Sequence, residues 1–411
     1  MISVAIMGHG VVGSGVAEII TTHKQKLFAS IGEEVYIKHI LDLREFPDSP
    51  LADRFTKDFN DIINDIDVRV VVEVMGGVNP AYDFVKKCLK AGKSVVTSNK
   101  ELVAAHGAEL LAIAKEENVN FLFEASVGGG IPIIRPMNQC LVANIVDEIA
   151  GILNGTTNFI LTKMIEDGMQ FEDALKLAQE LGFAERNPAA DIEGHDACRK
   201  ICILASLAFG KHVYPDAVHT EGITEITLDD VKYAEAHGCV IKLIGKVKRL
   251  DNGQIDIIVA PMLVPNKSQL ANIDYEFNGI MVRGDCTGDV VFYGKGAGKL
   301  PTASAVVADV IDCCKHLKTR KYLYWTDGNG ENIISYKDSV AAVYIRANGD
   351  NALAQAESVF GEVKVINKAD APAGELAFVT KQLSYGEVLD KIKALEETGV
   401  KVLSKIRIGD L

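Results

Sequence analysis

Residues 3–15 read SVAIMGHGVVGSG, a short apolar run that breaks into glycines and resumes with helix-period sequence. Val4-Ala5-Ile6-Met7 has the length and composition of a buried strand. Gly8, Gly10 and Gly13 follow at G-x-G-x-x-G spacing. A tight turn, close approach of backbone to a pyrophosphate, and close helix packing each exclude a side chain there. The helix that follows offers free N–H groups and partial positive charge to phosphates. Working outward, runs rich in Val and Ile recur at 35–41, 69–75, 94–97 and 120–124. Helix-period segments lie between them at 12–24, 80–91 and 101–117, with Pro80 suited to a helix start and Gly92 to a C-cap. Strands alternating with helices require a parallel sheet with right-handed crossovers. Residues 1–130 are therefore expected to form a doubly wound, Rossmann α/β domain that binds NAD or NADP through Gly8, Gly10 and Gly13 and the helix start behind them.

A carboxylate at the end of the second strand would hold the ribose hydroxyls. Asp42 stands there, 29 residues after Gly13 (13 to 42), a long spacing for which the stretch 23–34, HKQKLFASIGEE, reads as an insertion. Asp42 favours NAD, whereas Arg44 could meet a 2′-phosphate. The reading leans to NAD and leaves NADP open.

At 411 residues the chain exceeds one ordinary core, so two or three domains are expected. A content of 48% hydrophobic and 24% charged residues describes a globular chain. The net charge of −13 argues against a nucleic-acid binder, which needs a basic field. Met1 leads straight into SVAIMG with no basic segment before an apolar stretch, and no run approaches the ~18 apolar residues of a membrane span. Eight scattered cysteines without a C-x-x-C pair are expected to be reduced core residues in a cytoplasmic protein. Cys198 and Cys202, four apart, read as packing residues rather than metal ligands.

From 131 to about 317 the pattern becomes α+β. VDEIAGILNG, CVIKLIGKVKRL and QIDIIVAPMLV read as longer strands, the last two joined by the hairpin turn Asp251-Asn252-Gly253. Helices are expected at 156–167, 171–181, 195–209 and 302–316. Residues 318–337, with Trp325 and TDGNGEN, read as a polar linker. The tail 338–411 then runs strand, helix, strand, strand, helix, strand, the ferredoxin-like plan.

The chemistry concentrates in residues 178–200, AQELGFAERNPAADIEGHDACRK. Asp196 and Lys200 are four apart and share a helix face. An ammonium held by a carboxylate beside an apolar element suits proton donation to a carbonyl oxygen. The same spacing also fits a solvated ion pair of little consequence. Glu193, His195 and His106 read as surface or packing residues, and His9 as a backbone donor only.

These segments together resemble the homoserine dehydrogenase family. The resemblance is carried by Ala178-x3-Gly182-Phe183-Ala184, Asn187-Pro188-x2-Asp191-Ile192-x-Gly194-x-Asp196-x3-Lys200, Ser98-Asn99-Lys100, Glu124 to Pro132, Asn154-Gly155-Thr156 and Gly294 to Gly298. It covers residues 1 to about 316. It implies reversible, NAD(P)-dependent interconversion of L-homoserine and L-aspartate 4-semialdehyde, in threonine and methionine biosynthesis. By position, Lys200 corresponds to the proton donor, Asp196 to the carboxylate that orients it, and Lys100 to a second active-site lysine beside the cofactor. Glu185, with Asp191, corresponds to the group that binds the substrate ammonium, and Gly155 and Thr156 to the loop beside it. Gly10, Val11, Val12, Ser98, Lys100 and Gly298 match cofactor contacts. Glu124, Val127, Gly129 and Ile131 match a structural sodium (Na+) site, three of them through backbone carbonyls.

The resemblance further implies that 131–317 is a substrate-binding and dimerisation domain, that 338–411 is an ACT-like module, and that the protein is a homodimer or homotetramer. The tail's first strand–helix loop, Arg346-Ala-Asn348-Gly349-Asp350-Asn351, lacks the proline of an effector-binding turn. Assembly is thus the expected role of the tail, with L-threonine as a further candidate effector. Two rival readings remain. A thioester-forming semialdehyde dehydrogenase would need a cysteine beside a histidine, and Cys140 has no such histidine block. A silent amino-acid sensor would not require Asp196 and Lys200.

Overall fold

The computed structural model describes residues 1–321, 323–368 and 370–411; Tyr322, inside the expected linker, and Ala369, inside the tail, lie outside the described residues. The chain forms two compact units that interleave in sequence. The first takes residues 1–145, 199–215 and 292–329; the second takes 146–198, 216–291 and 330–411. A linear division near residue 130 does not describe these units, because later segments return to the first.

In the first unit, six parallel strands lie in the order Phe55–Thr56, Val35–Leu41, Ile2–Met7, Val68–Glu73, Ser94–Thr97 and Phe121–Leu122. This 3-2-1-4-5-6 order is the doubly wound dinucleotide-binding arrangement, with its switch point beside the first strand. The central strands are buried on both faces: Val4, Ile6, Val70, Val72, Val95 and Val96 are all fully buried. That burial explains their continuous apolar runs in place of alternation. The stretch 23–34 is not a plain insertion. It contains the helix Lys24–Ile31, closed by Gly32 at φ +83°, whose N–H donates to Phe28 O at 2.7 Å.

The helix Lys299–Lys315 belongs to this unit because it packs against the helix Val11–Thr22. At Gly15 a Cβ would come within 3.0 Å of Ala303 and of the Lys299 carbonyl, so the two helices meet at a glycine. Part of the expected linker is also core. Trp325 is 1% exposed, and its Nε1–H donates to Nδ1 of buried His212 at 2.9 Å. With Nδ1 accepting, Nε2–H donates to the Ala104 carbonyl at 2.8 Å, and burial holds the imidazole below its ordinary pKa, in the neutral form.

In the second unit, strands lie side by side in the order Phe277–Gly284, Val146–Ile152, Cys239–Arg249, Ile255–Pro265, Lys401–Ile408, Val343–Asn348, Glu375–Val379 and Lys364–Val365. The hairpin expected at Asp251-Asn252-Gly253 joins Cys239–Arg249 to Ile255–Pro265, with Gly253 at φ +81°. The last four strands in that order come from the tail. They are antiparallel to one another and follow the split βαβ plan, with helices Ala352–Phe360 and Tyr385–Glu397 packed over Ile345, Ala347 and Phe378.

The tail does not stop at its own sheet. Met262 pairs with Arg407 and Leu263 with Ile408 in parallel register, so one sheet runs through both parts of the unit. A buried polar knot joins them as well. Arg346 on Val343–Asn348 donates from Nε to Asp230 Oδ1 at 2.9 Å, from Nη2 to Thr227 Oγ1 at 3.0 Å, and from Nη1 to Glu375 Oε2 at 3.3 Å. Asp230 is fully buried and shares the capping box of the helix Leu228–Ala236 with Thr227. Arg346 is thus a core residue of its strand rather than a loop residue.

Cys140 and Cys286 are exposed while the other six cysteines are buried; the expectation of eight core cysteines fails at those two. Among the described residues, no helix is long and apolar enough to cross a membrane, and no group of three His, Cys, Asp or Glu side chains could hold a metal ion.

Candidate active site

The first unit carries the cofactor-binding geometry. Gly8 sits at φ +99°, and a Cβ on Gly13 would come 2.0 Å from the Gly8 carbonyl, so both positions need glycine. Gly10 is the N-cap of Val11–Thr22 and makes no side-chain cap, and nothing lies within 4 Å of where its Cβ would be. The helix start at Gly10, Val11 and Val12 therefore keeps its N–H groups for a phosphate. The residues fit a dinucleotide.

Asp42 stands at the end of Val35–Leu41, as expected, and does more than await a ribose. Its Oδ2 accepts from the His9 N–H at 2.8 Å, fixing the glycine turn. Arg44 holds the same carboxylate through its backbone N–H and Nε on Oδ1, both at 3.0 Å, and through Nη2 on Oδ2 at 2.8 Å. The Arg44 guanidinium holds the Asp42 carboxyl far below the usual carboxylate range, although burial opposes it. The His9 ring packs edge-on against Phe46 and Phe55, and its part in the site is its backbone N–H.

At the carboxyl end of Ser94–Thr97 the chain passes Ser98 and enters the helix Lys100–Glu116. Asn99 caps this helix by accepting from the Leu102 N–H at 3.1 Å, so Lys100 is its first residue. Lys200 is 8% exposed on the helix His195–Phe209. The neighbours of the two lysines meet: Arg199 Nη2 lies 3.7 Å from Glu101 Oε1. The two lysine-bearing turns are thus neighbours within the first unit. Gly298, at φ +118°, is the N-cap of Lys299–Lys315.

The second unit carries the carboxylates. Asn154 caps the helix Gly155–Glu166 through Oδ1, which accepts from the Thr157 N–H at 2.8 Å. Its Nδ2 donates to Asp191 Oδ1 at 2.7 Å and to Asp196 Oδ2 at 2.8 Å. One amide thus brings together two carboxylates that the sequence keeps apart. Asp196 is 4% exposed and Asp191 is half-buried. Thr156 Oγ1 donates to the Phe183 carbonyl at 2.6 Å, and Gln179 Nε2 to the Glu185 carbonyl at 3.1 Å. These bonds pin the backbone of 183–185 and leave the Glu185 side chain exposed. At Gly155 a Cβ would lie 2.6 Å from the Glu276 carbonyl.

Sequence reasoning did not single out Asn154 by itself. The available signal was Asn154-Gly155-Thr156 at a helix start, an N-cap pattern that says nothing of distant carboxylates. Glu193 and His195 are exposed and pair with each other at 3.1 Å, while His106 stacks on Tyr82 at 4.0 Å.

The segment expected to hold sodium is built differently from a carboxylate cage. Glu124 is buried, and its Oε1 accepts from the Ile133 and Ile134 N–H groups at 2.6 and 2.8 Å, its Oε2 from the Arg135 N–H at 2.7 Å. The side chain is committed to that turn. Asp309, fully buried beside Glu124 N and Arg135, is pushed up to about 7 by burial.

A parallel sheet of this order, with a bare helix N-terminus behind its glycine turn, is the fold of a nicotinamide-dinucleotide-binding protein. Comparison with known proteins narrows the class. Residues 8–124 match the model of the homoserine dehydrogenase NAD-binding domain, and residues 132–311 match that of homoserine dehydrogenase. The chain is 44% identical over 320 residues to homoserine dehydrogenase of Bacillus subtilis, covering 77% of this chain and 74% of that protein. The crystal structure of a homoserine dehydrogenase from Thiobacillus denitrificans superposes with a TM-score of 0.92 at 34% identity, covering 100% of this chain and 98% of that one. A hyperthermophilic archaeal homoserine dehydrogenase in complex with NADPH gives a TM-score of 0.65 at 27% identity, over 76% of this chain and 97% of that one. The chain belongs to the homoserine dehydrogenase family.

Proposed function

We propose that the chain interconverts L-homoserine and L-aspartate 4-semialdehyde in threonine and methionine biosynthesis, with Lys200 as the proton-transferring group. The bound nicotinamide supplies hydride transfer. In the reducing direction, Lys200 Nζ gives a proton to the aldehyde oxygen as it gains negative charge; in the oxidising direction, the neutral amine takes the hydroxyl proton back. Asp196, one turn earlier on the same helix, orients Lys200. Lys100, as a second cation beside the same oxygen, favours the neutral form of its neighbour. Glu185 and Asp191 hold the substrate ammonium, with Gly155 and Thr156 shaping the adjoining loop.

The observation that carries this reading is the Asn154 amide between Asp191 and Asp196. It links an ammonium-binding carboxylate to the carboxylate of the proton donor's own helix. Purified protein mixed with L-homoserine and NAD+ or NADP+ should generate reduced cofactor at alkaline pH with sodium present. Absence of signal with both cofactors would sink the reading.

NAD is the expected cofactor on the strength of Asp42, and Arg44 is the group that would admit a 2′-phosphate. The Asp42 oxygens already accept three N–H groups from Arg44. Arg44→Ala removes two of them along with the cation, and should lower kcat/KM for NADP+ relative to NAD+ by about 10-fold or more. An unchanged ratio would show that Arg44 does not select the cofactor. Sodium, if bound, serves the backbone of 124–131, and adding it should raise thermal stability without altering the cofactor ratio. For the tail we infer an ACT-like module that assists homo-oligomer assembly. An open pocket lies against Gly349, Asn351, Gly374 and Glu375, so suppression of turnover by L-threonine is the result that would replace this with an effector role.

A further inference from the structure

Glu73 is a fully buried carboxyl group at the carboxyl end of Val68–Glu73, between Met7 and Thr97 in register. A lone charged group there is costly to bury, and the chain surrounds it with donors. Oε1 accepts from the Met75 N–H at 2.8 Å, and Oε2 accepts from Thr97 Oγ1 at 2.6 Å. Burial lifts its carboxyl above the ordinary value, while bonds from Thr97, Met75, Asn99 and Gly76 pull it back.

The chain of bonds continues. Thr97 Oγ1 accepts from the Asn99 N–H at 2.9 Å, and Asn99 Nδ2 donates to the Gly77 carbonyl at 2.6 Å. Asn99 Oδ1 caps the helix whose first residue is Lys100. Gly76 and Gly77 sit at φ +81° and +69°, so the loop held by Glu73 has a backbone path that other residues resist. No step assigned above uses Glu73. Its bonds nonetheless fix both the glycine loop after one central strand and the residue that launches Lys100 from the next. In sheets of this order, bound ligands lie outside these strand ends.

We propose that Glu73 is a positioning residue for Lys100, acting through Thr97 and the Asn99 cap. The inference rests on Lys100 being the second active-site lysine. A side chain displaced by about 1 Å can cost on the order of 100-fold in rate, so loosening this chain should reach the chemistry without touching substrate.

The test compares Glu73→Gln, Thr97→Val and Thr97→Ser in the full-length protein, each checked by circular dichroism. Glu73→Gln offers an amide to the surrounding donors, and Thr97→Val keeps shape while deleting the hydroxyl. Both should lower kcat for homoserine oxidation roughly 10- to 100-fold. KM for homoserine and cofactor Kd should stay within about threefold, and Thr97→Ser should recover most of the rate. Hydrogen exchange over residues 98–103 should quicken in the first two variants, whether or not homoserine is the substrate. Wild-type kcat in both variants overturns the proposal, as does a loss confined to cofactor Kd. If wild-type protein fails to oxidise homoserine, the functional reading falls; unaltered exchange over 98–103 would then overturn the positioning role independently.

Discussion

Lys200→Ala should reduce kcat for homoserine oxidation by about 10²–10⁴-fold, the usual contribution of a positioned acid or base. The lysine is almost wholly buried on the helix His195–Phe209, and alanine is the most favourable replacement for the helix itself. The change therefore removes one ammonium without unfolding its element. Cofactor binding should survive, because the glycine turn, the uncapped start of Val11–Thr22 and Asp42 are left as they were. Turnover is read from absorbance of the reduced cofactor and binding from its fluorescence. Retention of wild-type turnover would remove Lys200 from the chemistry. Loss of cofactor binding in step with turnover would instead assign it to the cofactor.

Asp230→Ala should be the most destabilising single change in the second unit. Asp230 is fully buried and accepts from Arg346 Nε at 2.9 Å and Tyr344 OH at 3.1 Å, while its other oxygen completes the capping box with Thr227. Removing it leaves a guanidinium, itself 8% exposed, without its main counter-charge. Breaking one side of a buried pair costs about 3–5 kcal/mol. In a unit of this size that corresponds to a melting temperature lower by about 10 °C. Replacing both partners, Asp230→Leu with Arg346→Met, should recover much of the loss, since paired charges and well-packed apolar residues can be nearly equivalent. A single variant that melts with the wild type would show that the knot between tail and middle segment is not structural. Glu375, 3.3 Å from Arg346 Nη1, should soften the effect of Asp230→Ala more than that of Arg346→Ala.

The parts of this molecule legible in sequence share one property: their cause is local. The glycine turn must contain Gly8 and Gly13 wherever the rest of the chain goes, because the clash they avoid is with the turn itself. Asp251-Asn252-Gly253 is the same kind of signal, a backbone requirement written in three residues. What could not be read depends on partners far away in the chain. Asn154 looks like an ordinary helix cap; its second task joins residues 37 and 42 positions later. Glu73 closes a run of valines and has the appearance of a solvated strand end, yet it is buried by Thr97 and Asn99. Lys24–Ile31 has one buried residue, Leu27, and so lacks the apolar stripe by which a helix is recognised. Arg346 appears to begin a polar loop because its counter-charge lies 116 residues away.

The strand Lys401–Ile408 lies inside its sheet, between Ile255–Pro265 and Val343–Asn348. It follows Ile255–Pro265 by more than a hundred residues of chain. Until residues 401–408 are made, its two neighbouring strands wait with bare edges where a strand should pair. A chain lacking 401–408 would keep every candidate site residue and leave a gap in the middle of the second unit's sheet. Such a chain should be cleared by proteolysis or aggregate, so the soundness of a sheet begun at residue 146 is decided by a strand that arrives about 250 residues later.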